Sequence, residues 1–262
     1  MKNPLPPPFA YSEAIAAAEA AGALLMQHYN TPLQIQHKAD NSPVTQADLA
    51  AQQCIVERLQ QFYPEIPIIS EEAPLPPLAE RQNWAHFWLV DPLDGTKEFI
   101  HHNGEFTVNI ALIVQGEPVF GVIAVPAQDT LYVGSREHGS WRRTGDRWEA
   151  LSCERKPLHG PLRLVCSRSH PSAELEAWEA AHQITERVPV GSSLKFCRVA
   201  EGQADVYVRF HAIREWDVAA GDAIYRYAST DAPHPSALCY NTAELWTVPF
   251  MIGVDEVTPV LP

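Results

Sequence analysis

The chain is poor in basic residues and has neither paired cysteines nor a long apolar run. Lysine and arginine total 19 against 32 aspartate and glutamate, so the formal net charge of the 262 residues is -13. This balance excludes the electrostatic surface of a protein that binds a nucleic-acid polymer or an anionic membrane. The five cysteines are odd in number and include no Cys-x-x-Cys pair, which argues against a disulfide framework and a zinc knuckle.

The apolar segments are too short to predict a transmembrane segment, and the proline-rich first residues lack the pattern of a signal peptide. We therefore expect a cytoplasmic protein, and peripheral association with the inner face of the membrane stays open. The hydrophobic content of 46% predicts a globular chain with one large domain or two closely packed halves. A charged stretch at 141–156 is the predicted boundary, which divides the chain into an α+β half at 1–150 and an α/β half at 151–262.

Two carboxylates follow a predicted buried strand at 86–90. Asp91 and Asp94 stand in the segment Asp91-Pro92-Leu93-Asp94-Gly95-Thr96, where Pro92 and Gly95 predict a sharp turn. Such carboxylates repel each other unless a divalent cation lies between them, and oxygen ligands favour Mg²⁺, Mn²⁺ or Ca²⁺ over zinc. The alternative is a solvated Asp-Gly turn. The spacing of three residues favours metal-activated water over a covalent aspartyl nucleophile, for which the two acids stand two apart.

A second pair of acids, Glu71 and Glu72, follows the predicted strand at 66–70. Because open α/β sheets bind ligands at the carboxyl ends of their strands, a shared metal site is favoured over a solvated turn. Upstream, Thr45 and Asp48 match a capping box for a helix that runs to about residue 62. A plain cap and a direct role in the site are both open, as is a combination in which Asp48 caps the helix and faces a water in the site.

The second half alternates predicted strands and helices between 162 and 228. The segment at 191–195 begins one helix and groups backbone N–H groups, hydroxyls and an ammonium, which favours either an anion site or an ordinary serine cap with an exposed lysine. Asp217 begins another helix as a candidate N-cap, and the small residues after it permit close approach to a neighbouring element.

Taken together, Glu71, the segment at 91–96 and Trp216-Asp217-Val218-Ala219-Ala220 closely resemble the Mg²⁺-dependent, lithium-sensitive phosphatases of the inositol monophosphatase superfamily. The resemblance covers about residues 12–252. It implies an α/β (α+β) fold arranged as a layered αβαβα sandwich. Four further segments, at 97–99, 103–112, 167–170 and 191–197, resemble the 3'(2'),5'-bisphosphate nucleotidase branch of that superfamily.

The resemblance implies hydrolysis of the 3'-phosphate of adenosine 3',5'-bisphosphate to give AMP, with 3'-phosphoadenylyl sulfate as a second substrate and a role in sulfur assimilation. It also implies two or three Mg²⁺ ions, with Mn²⁺ as a substitute and Li⁺ as an inhibitor. The assembly is open between a monomer and a homodimer. The alternatives are an inositol monophosphatase or broad sugar-phosphate phosphatase, and a non-catalytic metal- or nucleotide-binding protein.

The resemblance also implies roles for individual residues, most metal ligands being in the first half. The implied metal ligands are Glu71, Asp91, the carbonyl of Leu93, Asp94 and Asp217. Glu71 and Thr96 would orient the attacking water, with Asp91 shared between two ions. Asp40 and Asp48 would lie near a weaker, water-mediated third site. The implied substrate-binding residues are Gly95, Thr96, Ser167, His170, Gly191, Ser192, Ser193, Lys195 and Asp217.

Overall fold

The computed structural model describes residues 9–31, 35–37, 43–168, 172–229 and 232–255. Two long helices begin this chain, α1 at Ser12–Tyr29 and α2 at Gln46–Phe62, with a ribbon of β1 (Ile35–His37) and β2 (Pro43–Thr45) between them. The sequence predicts Ser12 as the cap of a helix over 13–29, but Tyr11 is at the N-cap of α1 and no side chain caps the helix, so that prediction is wrong. Among the helices of the described residues, none combines the length and apolar character that a membrane crossing requires.

The capping box of α2 is confirmed. The Thr45 hydroxyl accepts a hydrogen bond from the Ala47 N–H, at 3.1 Å, and Asp48 Oδ2 accepts from the Thr45 N–H, at 2.8 Å. These bonds satisfy amide groups that the first turn of a helix leaves without an intrahelical partner. Asp48 is itself buried, so the start of α2 fixes a carboxylate inside the protein.

A sheet of seven strands follows, in the order β3-β4-β5-β6-β7-β8-β9. Its first two strands are parallel and all later pairs are antiparallel. The strands are β3 (Ile68–Ser70), β4 (His86–Asp94), β5 (Thr107–Val114), β6 (Glu117–Val125), β7 (Thr130–Ser135), β8 (Gly139–Thr144) and β9 (Arg147–Leu151). Two short helices, α3 (Leu78–Arg81) and α4 (Thr96–Ile100), flank β4 along the chain.

The two faces of this sheet carry separate hydrophobic cores. On β4, Trp88 and Val90 pack with the buried faces of α1 and α2, whereas Phe87 and Leu89 pack on the opposite side. Because successive side chains of a strand point to opposite faces, both sets are buried. Asp91 continues the row of Phe87 and Leu89 and so belongs to the face away from α1 and α2.

A smaller sheet of four strands lies in the second half, in the order β11-β10-β12-β13. Its strands are β10 (Leu162–Ser167), β11 (Ile184–Val190), β12 (Val206–Arg209) and β13 (Phe250–Ile252), and its helices are α5 (Ala173–Ala181), α6 (Leu194–Ala200) and α7 (Glu215–Tyr227). One shared core joins residues of α6 and α7 with both sheets, and α5 packs on the outer face of the smaller sheet. The order of layers is therefore helix, sheet, helix, sheet, helix, which confirms the predicted αβαβα sandwich.

Two local predictions in the first half are wrong. The charge of the stretch at 141–156 predicts irregular structure, but most of the stretch is regular, because β8 and β9 form a hairpin around Gly145 and add the last two strands of the large sheet. The predicted turn lies at Gly95, in the left-handed conformation, and not at Pro92, where β4 continues through a β-bulge. Asp91 pairs with Asn109 and Asp94 with Thr107, so β4 contains one more residue than β5 between these pairs. The large sheet ends at Leu151 and the small one begins at Leu162, and the division at residue 150 stays a prediction.

Candidate metal and active site

Two parallel strands place Glu71 beside Asp91. Ser70 at the end of β3 is the register partner of Val90 on β4, and the Glu71 N–H donates to the Val90 carbonyl, at 3.1 Å. The residues that follow each strand therefore leave the sheet at the same edge. This is the arrangement that the two acidic strand ends predicted.

The third carboxylate, Asp217, comes from α7, which lies against the sheet face to which Asp91 belongs. Close approach depends on Gly121 of β6, where a Cβ atom would lie 2.5 Å from the Ala220 carbonyl oxygen. Asp217 is the third residue of α7 and its N–H donates to the Arg214 carbonyl, at 3.2 Å. Arg214 holds the N-cap position, so Asp217 is not the N-cap of this helix.

Glu71, Asp91 and Asp217 form a tight group of carboxylates. One oxygen from each lies within 4.8 Å of the others. Burial, followed by the charges of Glu71, Asp94 and Asp217, holds the pKa of Asp91 well above its ordinary value. Burial and the charges of Asp94 and Glu71 likewise raise the pKa of Asp217 well above its ordinary value.

These carboxylates fit a divalent cation. Hard oxygen donors gathered at this spacing repel each other, and a cation between them removes the repulsion. Burial also raises the pKa of Asp94 to about 6, against the opposing charge of Lys195 and with a smaller contribution from Glu71 in the same direction. Burial and mutual repulsion both raise these pKa values, so a bound divalent cation would favour the ionised carboxylates.

The bulge of β4 determines the positions of Leu93 and Asp94 relative to Asp91. The Leu93 N–H donates to Asp91 Oδ1, at 3.0 Å, which orients the carboxylate of Asp91. Asp94 lines the cavity beside the tight group, and its Oδ2 lies 3.4 Å from Asn109 Nδ2. The ligand roles of Asp94 and of the Leu93 carbonyl stay predictions.

Thr96, the first residue of α4, connects this corner to the start of α2. Its hydroxyl oxygen lies 3.5 Å from Asp48 Oδ1 and 3.5 Å from the Leu93 carbonyl oxygen. The other carboxylate oxygen of Asp48, Oδ2, accepts from the N–H and hydroxyl of Thr45. Asp48 is thus both a helix cap and a neighbour of Thr96.

The segment at 191–195 is tied to the first half by its own polar groups. Gly191 donates its N–H to Glu105 Oε2, at 2.9 Å, and the Ser192 hydroxyl donates to the Glu105 carbonyl, at 2.6 Å. The Ser193 hydroxyl lies 2.8 Å from Asn109 Oδ1, and Lys195 Nζ donates to the Ser192 carbonyl, at 2.5 Å. The helix begins at Leu194 and neither serine side chain caps it, so the ordinary serine cap is excluded.

A cavity of about 310 Å³ opens beside the carboxylates. Among its lining residues are nine that the sequence singled out: Glu71, Asp94, Gly95, Thr96, Ser167, Ser192, Ser193, Lys195 and Asp217. Gly95 has φ +87°, and a Cβ atom there would overlap the Ser192 hydroxyl, so only glycine fits. Asp40 and His170, which were also predicted, lie outside the described residues.

A second cavity of about 240 Å³ adjoins the first, and the two share Ser167, Lys195, Tyr207 and Arg209. Leu175 and Phe210 supply apolar wall, while Ser172, Glu174 and His211 supply polar groups. The sequence analysis did not single out Tyr207 or Arg209. The alternation of side chains along β12 could have identified them. Val206 and Val208 pack in the core beside α5, so Tyr207 and Arg209 belong to the opposite face of the strand, and both line the two cavities.

The fold and site together define a layered αβαβα sandwich with a tight group of carboxylates that could hold a metal ion beside a cavity. Residues 10–232 match the inositol monophosphatase family. The chain therefore belongs to the inositol monophosphatase family.

Several curated proteins and solved structures are similar to this chain over most of its length. The 3'(2'),5'-bisphosphate nucleotidase CysQ of Escherichia coli O6:H1 is 48% identical over 213 residues, which are 79% of this chain and 83% of that protein. The CysQ nucleotidase of Haemophilus influenzae is 32% identical over 248 residues and covers 94% of this chain and 92% of its own length. The crystal structure of CysQ from Bacteroides thetaiotaomicron has a TM-score of 0.77 and 37% identity, over 94% of this chain and 97% of that one.

Proposed function

We propose that the protein is a metal-dependent phosphatase that removes the 3'-phosphate of adenosine 3',5'-bisphosphate to give AMP. By the same reaction it converts 3'-phosphoadenylyl sulfate into adenylyl sulfate. The main observation behind the proposal is the tight group of Glu71, Asp91 and Asp217, of which Asp91 is buried, beside a cavity of suitable size for a small molecule. The relatives named as bisphosphate nucleotidases support the choice of substrate.

The tight carboxylate group, with Asp94 beside it, would hold two or three Mg²⁺ ions. When bound, the ions would supply Lewis-acid activation of the attacking water and neutralise the phosphoryl oxygens. Mn²⁺ is expected to substitute for Mg²⁺ and Li⁺ to inhibit.

Thr96 and Glu71 orient the attacking water in this proposal. The acceptors near the Thr96 hydroxyl are Asp48 Oδ1 and the Leu93 carbonyl, so the hydroxyl proton is directed toward them. The lone pairs of Thr96 are then free to accept one proton of the water, and the Glu71 carboxylate accepts the other. Both hydrogen bonds fix the direction of the water's remaining lone pairs, which favours in-line attack on phosphorus.

The adjoining cavity supports a nucleoside rather than an inositol ring as the leaving portion of the substrate. Phe210 and Leu175 offer an apolar surface against which a base can pack, and Ser172 and Ser167 add hydroxyls at its edge. An inositol ring carries hydroxyl groups around its whole rim and would leave this apolar wall without a matching surface. A broad sugar-phosphate phosphatase is disfavoured for the same reason.

The test is phosphate release from adenosine 3',5'-bisphosphate with Mg²⁺, repeated with Li⁺ and with a chelator. Fast release that both additions abolish supports the proposal. Faster release from inositol 1-phosphate under the same conditions would show that the enzymatic activity is that of an inositol monophosphatase instead. Binding of the bisphosphate without release of phosphate would instead support a non-catalytic nucleotide-binding protein.

The proposed setting is the cytoplasm, in sulfur assimilation, with a small-molecule nucleotide as the ligand and a monomer or homodimer as the assembly. Size-exclusion chromatography with light scattering distinguishes the two assemblies. Separation of cell extracts into soluble and membrane fractions tests for peripheral association with the inner face of the membrane.

A further inference from the structure

Arg209 is a cation on the wall that the two cavities share. It ends β12 and belongs to the strand face that carries Tyr207, toward α6 and α7. Arg209 and Asp217 line the same cavity, and the positive charge of Arg209 acts on the Asp217 carboxylate. Arg209 thus stands between the carboxylate site and the adjoining cavity.

Among the described residues, no carboxylate lies within ion-pair distance of the Arg209 guanidinium, whereas neighbouring arginines are paired. Arg163 forms an ion pair with Asp205 at 2.8 Å and Arg168 forms one with Glu105 at 2.7 Å. Arg209 Nε is buried, and within the described part of the chain no hydrogen-bond partner faces it. Burial of an unpaired cationic donor is unfavourable, so a site of this kind is suited to an anionic ligand that arrives from outside.

The second cation on the shared wall is already engaged. Lys195 Nζ donates to the Ser192 carbonyl and its charge acts on Asp94. A substrate with two phosphates brings one to the carboxylate site, where metal ions neutralise it, and needs a cation for the other. A guanidinium offers paired N–H donors that match two oxygens of a phosphate, which an ammonium does not.

We propose that Arg209 binds the phosphate that is not hydrolysed and so determines the preference for substrates with a second phosphate. This inference rests on the proposed nucleotidase function. The nucleoside then lies in the adjoining cavity, against Phe210, with its 3'-phosphate at the carboxylate site and its 5'-phosphate at Arg209. An adenosine 3'-monophosphate makes every contact except the one with Arg209.

The kinetic test compares adenosine 3',5'-bisphosphate with adenosine 3'-monophosphate in the wild-type protein and in Arg209→Met, which keeps the apolar stem of the side chain. We expect kcat/KM for the bisphosphate to fall by about 10- to 100-fold, the range for a lost hydrogen bond to a charged group. For the monophosphate it should stay within about threefold of wild type, since no contact is lost. Arg147→Met is the matched control, because Arg147 lies on β9 with 69% of its side chain exposed and changes the net charge equally.

An equilibrium test needs no turnover. In chelator, calorimetric titration of the wild-type protein should show tighter binding of adenosine 5'-monophosphate than of adenosine, and Arg209→Met should remove that difference. An unchanged advantage of the monophosphate in Arg209→Met overturns the inference, as does an equal loss of kcat/KM on both kinetic substrates. If the wild-type protein fails to hydrolyse the bisphosphate, the proposed function falls, and the titration still decides whether Arg209 binds a phosphate.

Discussion

Substitution of Gly121 by alanine should separate the placement of Asp217 from the stability of the fold. The added Cβ atom would lie 2.5 Å from the Ala220 carbonyl oxygen and 2.8 Å from the Ala223 Cβ atom. Both distances are about 1 Å short of ordinary van der Waals contact. Because the first is to backbone, no side-chain rotation relieves it, and α7 has to move away from the sheet.

The expected magnitudes follow from that displacement. Overpacking of a core of this kind costs about 1–3 kcal/mol, which a domain of this size tolerates. A shift of about 1 Å in a group that positions a reactant lowers turnover by roughly 100-fold. Gly121→Ala should therefore remain folded but lose most of its activity and bind Mg²⁺ more weakly.

The assay combines thermal unfolding, Mg²⁺ titration and kcat/KM for adenosine 3',5'-bisphosphate. Gly160→Ala is the control, because a Cβ atom there lies 3.3 Å from the Pro157 carbonyl and outside the site. Activity and Mg²⁺ affinity in Gly121→Ala equal to those of Gly160→Ala would show that the close packing of α7 does not determine where Asp217 lies.

Three further predictions concern single side chains. Asp94→Asn should reduce turnover by roughly 100-fold or more. In the metal-free protein it should instead raise the melting temperature at pH 7. Folding raises the pKa of Asp94 from 3.8 to about 6, so the wild-type protein loses stability as pH rises between these values, and asparagine, which does not ionise, avoids that loss. The gain in the free energy of unfolding is roughly 1–3 kcal/mol at pH 7 and should vanish near pH 4. A variant less stable than wild type at pH 7 would contradict this prediction. Thr96→Val should lower kcat by roughly 100-fold with Mg²⁺ affinity unchanged, while Thr96→Ser, which keeps the hydroxyl, should retain activity. Equal activity of both variants would show that the Thr96 hydroxyl does not orient the attacking water. The hydrogen bond from Arg163 lowers the pKa of Asp205 below its ordinary value of 3.8. The stability that ionised Asp205 provides is therefore present above pH 3.8 and is lost as pH falls through the lowered pKa. The melting-temperature deficit of Asp205→Asn should therefore shrink between about pH 5 and pH 2, and a constant deficit would refute this.

Features that depend on short stretches of chain were predictable from the sequence. The capping box of Thr45 and Asp48 involves four consecutive residues, and its geometry is the same wherever a helix begins with them. The meeting of Glu71 and Asp91 needed only the inference that both acids follow neighbouring parallel strands. The gathering of Asp217 with them came from the family resemblance, since the residues alone allowed a simple N-cap.

Features that depend on packing between distant elements were not predictable in the same way. Arg209 stands in a segment that predicts a strand, and its position on a cavity wall follows from how the small sheet packs on α6 and α7. The bulge at 91–94 required the register of β5, which no residue of β4 specifies. The hairpin of β8 and β9 was missed because its alternating charged residues resemble a surface loop, although Gly145 marks the turn between them.

The carboxylate of Asp48 has two roles, one in capping a helix and one beside the site. Its Oδ2 holds the first turn of α2 through Thr45, and its Oδ1 is the acceptor near the Thr96 hydroxyl. A directed-evolution screen for heat resistance alone would therefore retain aspartate at this position, even in a population that had lost the chemistry. Persistence of Asp48 among such survivors would report on the folding of α2, and the catalytic contribution has to be measured from Thr96 instead.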